Sequence, residues 1–283
     1  MKFAIEAREL HNVFAAASAY NEEAVLKFKD NGILIELQDA SRTGAFASMM
    51  PESAMETYDV QPGTHLGVRI GKMIDVLPKS DSTATVELDM QGVHKTRTSI
   101  DGREYSTPLV DTDDVAQVPE SVPSLDMCVK VWNEQSWLLD FVSEASDYVF
   151  SGNPGAFWLS AQDGLLYLYS SRDDYEVSER LHWEDFDNYE IDWDEAYNEN
   201  AKGMDIEYPQ ERQRIEVALS TDLVSDITLY GDDVRIEFGH CMPLKAVSES
   251  ENGVKFSWII PPRYPSESDR GKVPDRVVVD RGV

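Results

Sequence analysis

The chain has 283 residues, 42% of them hydrophobic, which is enough for two domains of ordinary size, each with a buried core. It carries 53 acidic against 25 basic residues, a formal net charge of −28, opposite in sign to the charge of ordinary nucleic-acid-binding proteins. It contains no run of 18 apolar residues and no signal-peptide pattern at its N-terminus, so we expect a soluble, intracellular protein with no membrane contact.

The acidity is spread along the sequence rather than confined to a tail, and it has two candidate origins. One is an acidic interaction surface. The other, which we favour, is adaptation to a cytoplasm of molar salt, where the electrostatic screening length falls to about 3 Å and self-repulsion no longer penalises folding. This second origin predicts a protein that loses stability in low salt.

The two halves of the chain begin with the same elements. Apolar residues recur at helical spacing along 10–17 in the first half and along 137–145 in the second. Each helical segment is followed by two short apolar runs around an Asp/Gly-containing turn, at 24–37 and at 156–169, which predicts a β-hairpin in each half.

A strand–helix–strand pattern then follows in both halves, over 66–88 and over 215–238. Each half is therefore the same βαβββ-type unit, and the chain is a tandem duplication. The fold class that we predict is α+β, with two similar domains.

The domain boundary is predicted from a segment rich in proline and acidic residues, 111–126, which is typical of an extended connector. It separates an N-terminal domain, 1–110, from a C-terminal domain, 127–264. Residues 265–283 are polar and punctuated by proline and glycine, and we expect a mostly disordered tail there.

An acidic segment of the second half, 183–202, is predicted to be an insertion, because the first half shows no counterpart. Packing on an amphipathic helix is the interpretation that we favour, with partner contact as an alternative. A calcium site is a further alternative, although the glycine and terminal glutamate of an EF-hand loop are lacking. The aromatic residues that recur every three or four positions are Trp183, Phe186, Tyr189, Trp193 and Tyr197.

Catalytic motifs are absent from the sequence. It contains no GxSxG, Walker A, GxGxxG or HExxH pattern, and with 53 acidic residues a pair of carboxylates is expected by chance. Cys128 and Cys241 lack CxxC spacing and the five histidines are scattered, which favours buried thiols over a zinc site. We therefore expect no enzymatic activity, no cofactor and no metal.

A further signal is a set of short segments spread between Met1 and Arg263. They are Phe3-x-Ala with the Leu10 helix, Leu37 to Arg42 (LQDASR), Glu56-Thr57-Tyr58, Leu66-Gly67-Val68, Asp101 to Tyr105 (DGREY) with Leu109-Val110-Asp111, and Lys255 to Arg263 (KFSWIIPPR). In this order and spacing they resemble the proliferating cell nuclear antigen (PCNA) family of sliding clamps, of a halophilic archaeal or archaeal-virus type.

The resemblance implies the DNA clamp fold, in which three two-domain subunits close into a ring with helices lining the hole and sheets forming the outer wall. A strand at the edge of one subunit would continue the sheet of the next, which satisfies edges that would otherwise be exposed. The alternative is an internal strand in a monomer. The matching interface positions are Arg103, Glu104, Tyr105 and Thr107 on one edge and Tyr175, Val177, Glu179 and Leu181 on the other.

The resemblance also implies a pocket under the connector that accepts a short peptide motif of partner proteins: DNA polymerase, clamp loader, flap nuclease and ligase. Exposed apolar and proline side chains around a groove can accept an aromatic anchor, although each of them taken singly is more often ordinary packing. Gln38 departs from the family, where a larger apolar residue is common. The matching positions are Gln38, Arg42, Val118, Val122, Pro123, Pro243, Ile259, Ile260, Pro261 and Pro262.

Double-stranded DNA would pass through the ring without sequence-specific contacts. Family members usually carry several lysines on the helices that line the hole, whereas three of the four helices predicted here are neutral or acidic, so phosphate binding should be weak and topology must hold the ring on DNA. An alternative role for the few basic residues is solvated surface charge. The candidates that face DNA are Arg8, His11, Arg69, Lys72 and Lys79.

The leading hypothesis is a homotrimeric DNA polymerase processivity factor that acts in DNA replication in the cytoplasm of a halophilic archaeal cell, encoded by the cell or by its virus. One alternative is a clamp-fold subunit of a heteromeric ring, or a protein that sequesters replication proteins. Another is an acidic hydrolase or DNA mimic unrelated to clamps.

Overall fold

The computed structural model describes most of the chain, in separate ranges. They are residues 1–39, 44–78, 83–89, 95–115, 127–133, 137–153, 155–162, 164–172, 174–192, 214–225, 233–240 and 242–263. Most of the connector and the whole of 265–283 lie outside the described residues, so the predictions for them stay predictions.

The described residues of the first unit form nine strands and two α-helices. In chain order these are β1 (Lys2–Glu6), α1 (Ala7–Ser18), β2 (Glu23–Lys29), β3 (Gly32–Gln38), β4 (Ala45–Pro51), β5 (Met55–Asp59), β6 (His65–Arg69), α2 (Ile70–Ile74), β7 (Thr83–Asp89), β8 (Lys95–Ile100) and β9 (Arg103–Pro108).

The second unit repeats this order. Its elements are β10 (Val129–Asn133), α3 (Trp137–Glu144) with a π-helical turn (Ala145–Val149), β11 (Ala156–Gln162), β12 (Leu165–Arg172), β13 (Tyr175–His182), β14 (Asn188–Ile191), β15 (Arg214–Ser220), α4 (Thr221–Ser225), β16 (Asp233–Phe238), β17 (Leu244–Glu249) and β18 (Lys255–Ile260). Both predicted hairpins are present as β2–β3 and β11–β12.

The repeat is finer than the sequence indicated. Each unit contains two βαβββ motifs, for example β1-α1-β2-β3-β4 and β6-α2-β7-β8-β9, with β5 as an additional strand between them. We expected one such motif in each half, so the structure doubles the count while preserving the α+β class.

Three antiparallel sheets hold these strands together. Their orders are β5-β1-β7-β8-β9, then β14-β10-β16-β17-β18-β4-β3-β2-β6, then β13-β12-β11-β15. The nine-stranded sheet joins the two units, because β18 of the second unit pairs with β4 of the first. Strands β9 and β13 are edges of the two other sheets.

The helices pack in pairs, α1 beside α2 and α3 beside α4. The main core runs through both units between sheets and helices, and removing this apolar surface from water is the dominant stabilising term. The positions predicted for the buried helix faces are buried: Leu10, Val13, Phe14 and Ala17 on α1, and Trp137, Leu138, Phe141, Val142 and Ala145 along α3 and its π-turn.

The helix predicted over the aromatic acidic segment is wrong for its described residues. A 3-10 turn at Trp183–Asp185 leads into β14, which pairs with β10. In the first unit a 3-10 turn at Glu52–Ala54 likewise leads into β5, which pairs with β1, so this segment begins with a counterpart that the sequence did not reveal. Trp193 and Tyr197 lie outside the described residues.

Candidate functional surfaces

The eight residues predicted for a subunit interface lie on the two edge strands β9 and β13. Within the described part of the chain, β9 pairs only with β8 and β13 only with β12. Strands alternate faces, and the half-buried residues mark the inner face: Tyr105 and Thr107 on β9, and Val177, Glu179 and Leu181 on β13. Each edge therefore offers unpaired backbone groups together with a partly apolar inner face.

The joint inside the chain shows what such an edge does when it is paired. Strand β18 ends the second unit as β9 ends the first, and it pairs antiparallel with β4, the counterpart of β13. Trp258 lies opposite Phe46 with ring centroids 5.8 Å apart, and Phe256 stacks on Trp258 at 5.7 Å. This joint is apolar and buried.

The inner face of β13 carries charge instead. Burial is the main cause that raises the pKa of the Glu179 carboxyl, and the negative charges of Glu144 and then Asp140 on α3 raise it further. At the other end of the strand, Tyr175 meets Tyr148 edge to face at 5.9 Å, although 56% of Tyr175 and 57% of Tyr148 is exposed.

The described pocket positions gather at one end of the nine-stranded sheet. Gln38 ends β3 opposite Ala45, and Ala45 lies opposite Ile259 on β18. Ile260 lies opposite Leu244, which directly follows Pro243, and Pro261 and Pro262 follow β18. The structure thus brings Gln38, Pro243 and Ile259 to Pro262 together, whereas Arg42, Val118, Val122 and Pro123 lie outside the described residues.

The start of the connector is fixed by a contact that the sequence analysis did not single out as a site. Val110 forms an isolated antiparallel bridge with Gly67 of β6, and its N–H donates to the Gly67 carbonyl at 3.0 Å. A Cβ on Gly67 would lie 2.4 Å from the Val110 carbonyl oxygen, so only glycine permits this approach. Glycine inside a strand pattern is the signal that could have revealed it.

The basic residues predicted to face DNA are mostly paired with acidic side chains. Arg8 contacts Glu6 at 3.0 Å, Arg69 contacts Glu23 at 3.2 Å and Lys72 contacts Asp75 at 3.7 Å between nitrogen and carboxylate oxygen. Exposed pairs of this kind add little stability, and they partly neutralise the positive charge that phosphates would meet.

His11 and Lys79 are the other two residues predicted to face DNA. His11 is only 8% exposed, so its imidazole offers little surface to DNA, and Lys79 lies outside the described residues. On α3 and its π-turn, Asp140, Glu144 and Asp147 are all exposed. The helix surface is therefore acidic in the second unit.

The described ranges contain no group of three His, Cys, Asp or Glu side chains that could hold a metal ion. None of the helices in these ranges combines the length and the apolar character needed to span a membrane. Cys128 is buried, as predicted, and Cys241 lies outside the described residues.

Relatives of the chain among curated proteins are DNA polymerase sliding clamps of archaea. The chain is 26% identical over 177 residues to that of Haloarcula marismortui, covering 61% of this chain and 68% of the relative. It is 24% identical over 262 residues to that of Thermococcus fumicolans, covering 91% of this chain and 95% of the relative. No protein-family model matches the chain.

Solved structures share the whole architecture. A. fulgidus PCNA bound to the C-terminal region of FEN-1 superposes with a TM-score of 0.76 at 14% identity, covering 94% of this chain and 99% of that one. PCNA from Thermococcus kodakaraensis superposes with a TM-score of 0.75 at 21% identity, covering 93% and 99%. The likeness defines the class of protein: a two-domain chain of the DNA clamp fold.

Over as much as 91% of its length, the chain is similar to DNA polymerase sliding clamps of archaea. These relatives provide the frame for its function.

Proposed function

We propose that this protein is a DNA polymerase processivity factor, a homotrimeric ring that encircles duplex DNA and itself performs no chemistry. The observation that carries the proposal is the pair of edges β9 and β13, which occupy the positions that β18 and β4 occupy in the paired joint inside the chain. A second copy can therefore continue the sheet at each edge, and three chains of two units would close a ring of six units.

The acidic helices set how the ring would hold DNA. Arg8, Arg69 and Lys72 each have a carboxylate partner, so few phosphate contacts are available and affinity from counterion release is small. Ring closure, rather than phosphate binding, would keep the protein on DNA. The ring should then stay on DNA whose ends are blocked and leave linear DNA through its ends.

The end of the nine-stranded sheet around Gln38, Pro243 and Ile259 to Pro262 would receive the peptide motif of partners. The A. fulgidus structure contains the C-terminal region of FEN-1 bound to PCNA, and we infer that a flap nuclease, a polymerase, a ligase and a clamp loader bind here in a similar way. Gln38 would make the pocket more polar than that of a typical relative.

The setting that we propose is the cytoplasm of a halophilic archaeal cell, since the net charge of −28 suits molar salt and relatives come from Haloarcula and Halobacterium. We retain the domain boundaries 1–110, 111–126 and 127–264 as part of the proposal.

Primer extension tests the function most directly. A DNA polymerase from a halophilic archaeon is run on primed circular DNA in molar salt with and without this protein and a loader. Longer products in its presence are expected, and unchanged product lengths would contradict the role. Light scattering in the same salt should give the mass of three chains, whereas a stable monomer would contradict the ring.

A further inference from the structure

Internal duplication gives each residue at the joint inside the chain a counterpart at the edges. Phe3 lies opposite Tyr58 and Val86, and Val131 lies opposite Tyr189 and Ile236 in the same way. On the next strands outward in the first unit, Val86 lies opposite Thr98, and Thr98 lies opposite Tyr105. In the second unit Ile236 lies opposite Ala246, and Ala246 lies opposite Trp258. Tyr105 is therefore the counterpart of Trp258, and Arg103 is the counterpart of Phe256.

Strand pairs relate β4 of the first unit to β13 of the second in the same way. Gly32 lies opposite Pro51, and Leu165, at the equivalent start of its strand, lies opposite His182. A 3-10 turn follows directly in both units. Counting back three residues makes Glu179 the counterpart of Ser48.

The internal joint then fixes a register for a joint between two copies. Inside the chain Phe256 lies opposite Ser48 and Trp258 lies opposite Phe46. Transferred to the edges, this register places Arg103 of a second copy opposite Glu179, and Tyr105 of a second copy opposite Val177. Both members of the first pair lie on the helix side of the sheet, as Phe256 and Ser48 do.

The side chains around Glu179 differ in charge from those around its counterpart Ser48. The buried positions of α1 and α3 align as Leu10 with Leu138 and Phe14 with Val142, which places Asn12 and Ala16 where α3 has Asp140 and Glu144. The counterparts of all three carboxylates are thus uncharged in the first unit. Among the described residues no basic side chain forms an ion pair with Asp140, Glu144 or Glu179.

We propose, on the basis of the ring proposed above, that Arg103 of each subunit inserts between Glu179, Glu144 and Asp140 of the next, forming an ionic joint where the joint inside the chain is apolar. Arg103 is exposed and forms no ion pair within the described residues. A guanidinium carries five N–H donors in a planar fork, which suits several carboxylates at once. Arg103 would also relieve the repulsion that these carboxylates exert on one another.

Tyr148, and Tyr175 at the start of β13, also favour β9 of a second copy as the strand that covers this edge. Tyr148 and Tyr175 align with Tyr20 and Gly44 of the first unit. There Tyr20 stacks on Phe46 at 6.0 Å, and a Cβ on Gly44 would lie 3.2 Å from the carbonyl oxygen of Ile259 on β18. The equivalent site is thus filled by the paired strand, so β9 of a second copy would cover the exposed tyrosines.

Charge reversal tests the ionic joint. In molar salt, light scattering and sedimentation should show that Arg103→Glu weakens self-association by a factor of about 30 or more, because it places a like charge opposite these carboxylates in the closed joint. Glu179→Arg should have a similar effect. The double variant Arg103→Glu, Glu179→Arg should recover most of the association, which a purely structural role of either residue would not produce.

A matched control is Arg180→Glu, which makes the same charge change on the neighbouring residue of β13. Its side chain is exposed on the other face of the sheet, so association should stay as in the unchanged protein. Thermal melts of the single variants show whether each chain still folds.

The outcomes separate the two proposals. If the unchanged protein is a monomer in molar salt, the ring itself is contradicted. If it forms a trimer and Arg103→Glu does so equally, or if the double variant recovers nothing, the ring stands and the ionic joint is contradicted.

Discussion

The two strands of the joint inside the chain have counterparts in the edge strands β9 and β13, but the side chains that they carry differ. Phe46, Phe256 and Trp258 fill the internal joint, whereas at the edges Arg103 stands in place of Phe256 and Glu179 in place of Ser48. The internal joint forms once, when the chain folds, and apolar packing suits it. In the proposed ring an edge must stay in water until its partner arrives, and an inward-pointing charge discourages pairing with wrong strands meanwhile.

The strongest test of this contrast removes one ring from each joint. Trp258→Ala should lower the free energy of unfolding by about 3–5 kcal/mol, because the fully buried indole packs on Phe46 and Phe256. Its counterpart Tyr105 is only half-buried, so Tyr105→Ala should cost much less in the single chain. Guanidinium denaturation of both, in the Arg103→Glu background, measures this difference, and equal losses would mean that the joints do not differ.

A second test concerns the contact of Gly67 with Val110 at the start of the connector, which is shown only for the first unit. Gly67→Ala should lower the free energy of unfolding by about 1–3 kcal/mol, since the new methyl group would collide with the Val110 carbonyl oxygen. Hydrogen exchange of the Val110 amide should become faster. Gly71→Ala is the control, because its nearest contact would be 3.8 Å away at Glu22, and unchanged exchange in Gly67→Ala would show that Val110 does not depend on this approach.

A smaller effect separates Tyr58 from its counterpart Tyr189. The Tyr58 hydroxyl lies 2.7 Å from the Lys29 carbonyl and 2.6 Å from that of Gly32, and it donates its proton to one of them. Tyr58→Phe should cost about 1 kcal/mol in denaturation. Tyr189 is 45% exposed and stacks on Trp183 at 5.3 Å, so Tyr189→Phe should change stability little. A larger loss of unfolding free energy from Tyr189→Phe than from Tyr58→Phe would contradict the stronger hydrogen bonding of Tyr58.

The smallest effect is a pH dependence at Glu179. Its pKa is raised in the folded chain by burial and then by Glu144 and Asp140, so the folded state binds this proton more tightly than the unfolded state. Ionised Glu179 therefore destabilises the single chain at neutral pH, and this cost disappears as pH falls through the raised pKa. Glu179→Gln in the Arg103→Glu background should be more stable at neutral pH, with the gain shrinking on acidification. A gain independent of pH would argue against the charge as its cause.

The sequence predicted the features that depend on local periodicity. Helical spacing along 10–17 and 137–145, and the Gly32 and Gly164 turns of the hairpins, act within a few residues and were confirmed. The duplication followed from comparing these patterns. Gly67 was noted only within Leu66-Gly67-Val68, one of the segments that carry the family resemblance. Its close approach to Val110 could not be predicted because Val110 is far along the chain.

The sequence predictions failed where one pattern fits two structures, or where residues distant in the sequence decide whether a side chain is buried. The spacing of Trp183, Phe186 and Tyr189 fits a helix, yet a 3-10 turn followed by a strand also buries the first two. His11 lies beside the predicted buried face of α1 and is itself buried. Helical periodicity marks the centre of a buried face and does not show how far burial extends to either side of it.

The pairing of β4 with β18 has a consequence for biosynthesis. Strand β18 follows β4 far along the chain, so during translation the edge of β4 that faces away from β3 stays unpaired until Lys255–Ile260 have left the ribosome. Contacts this distant in sequence slow folding, and an unpaired edge is open to aggregation meanwhile. Ribosome-bound nascent chains that end before Lys255 should therefore depend on chaperones more than the completed protein does.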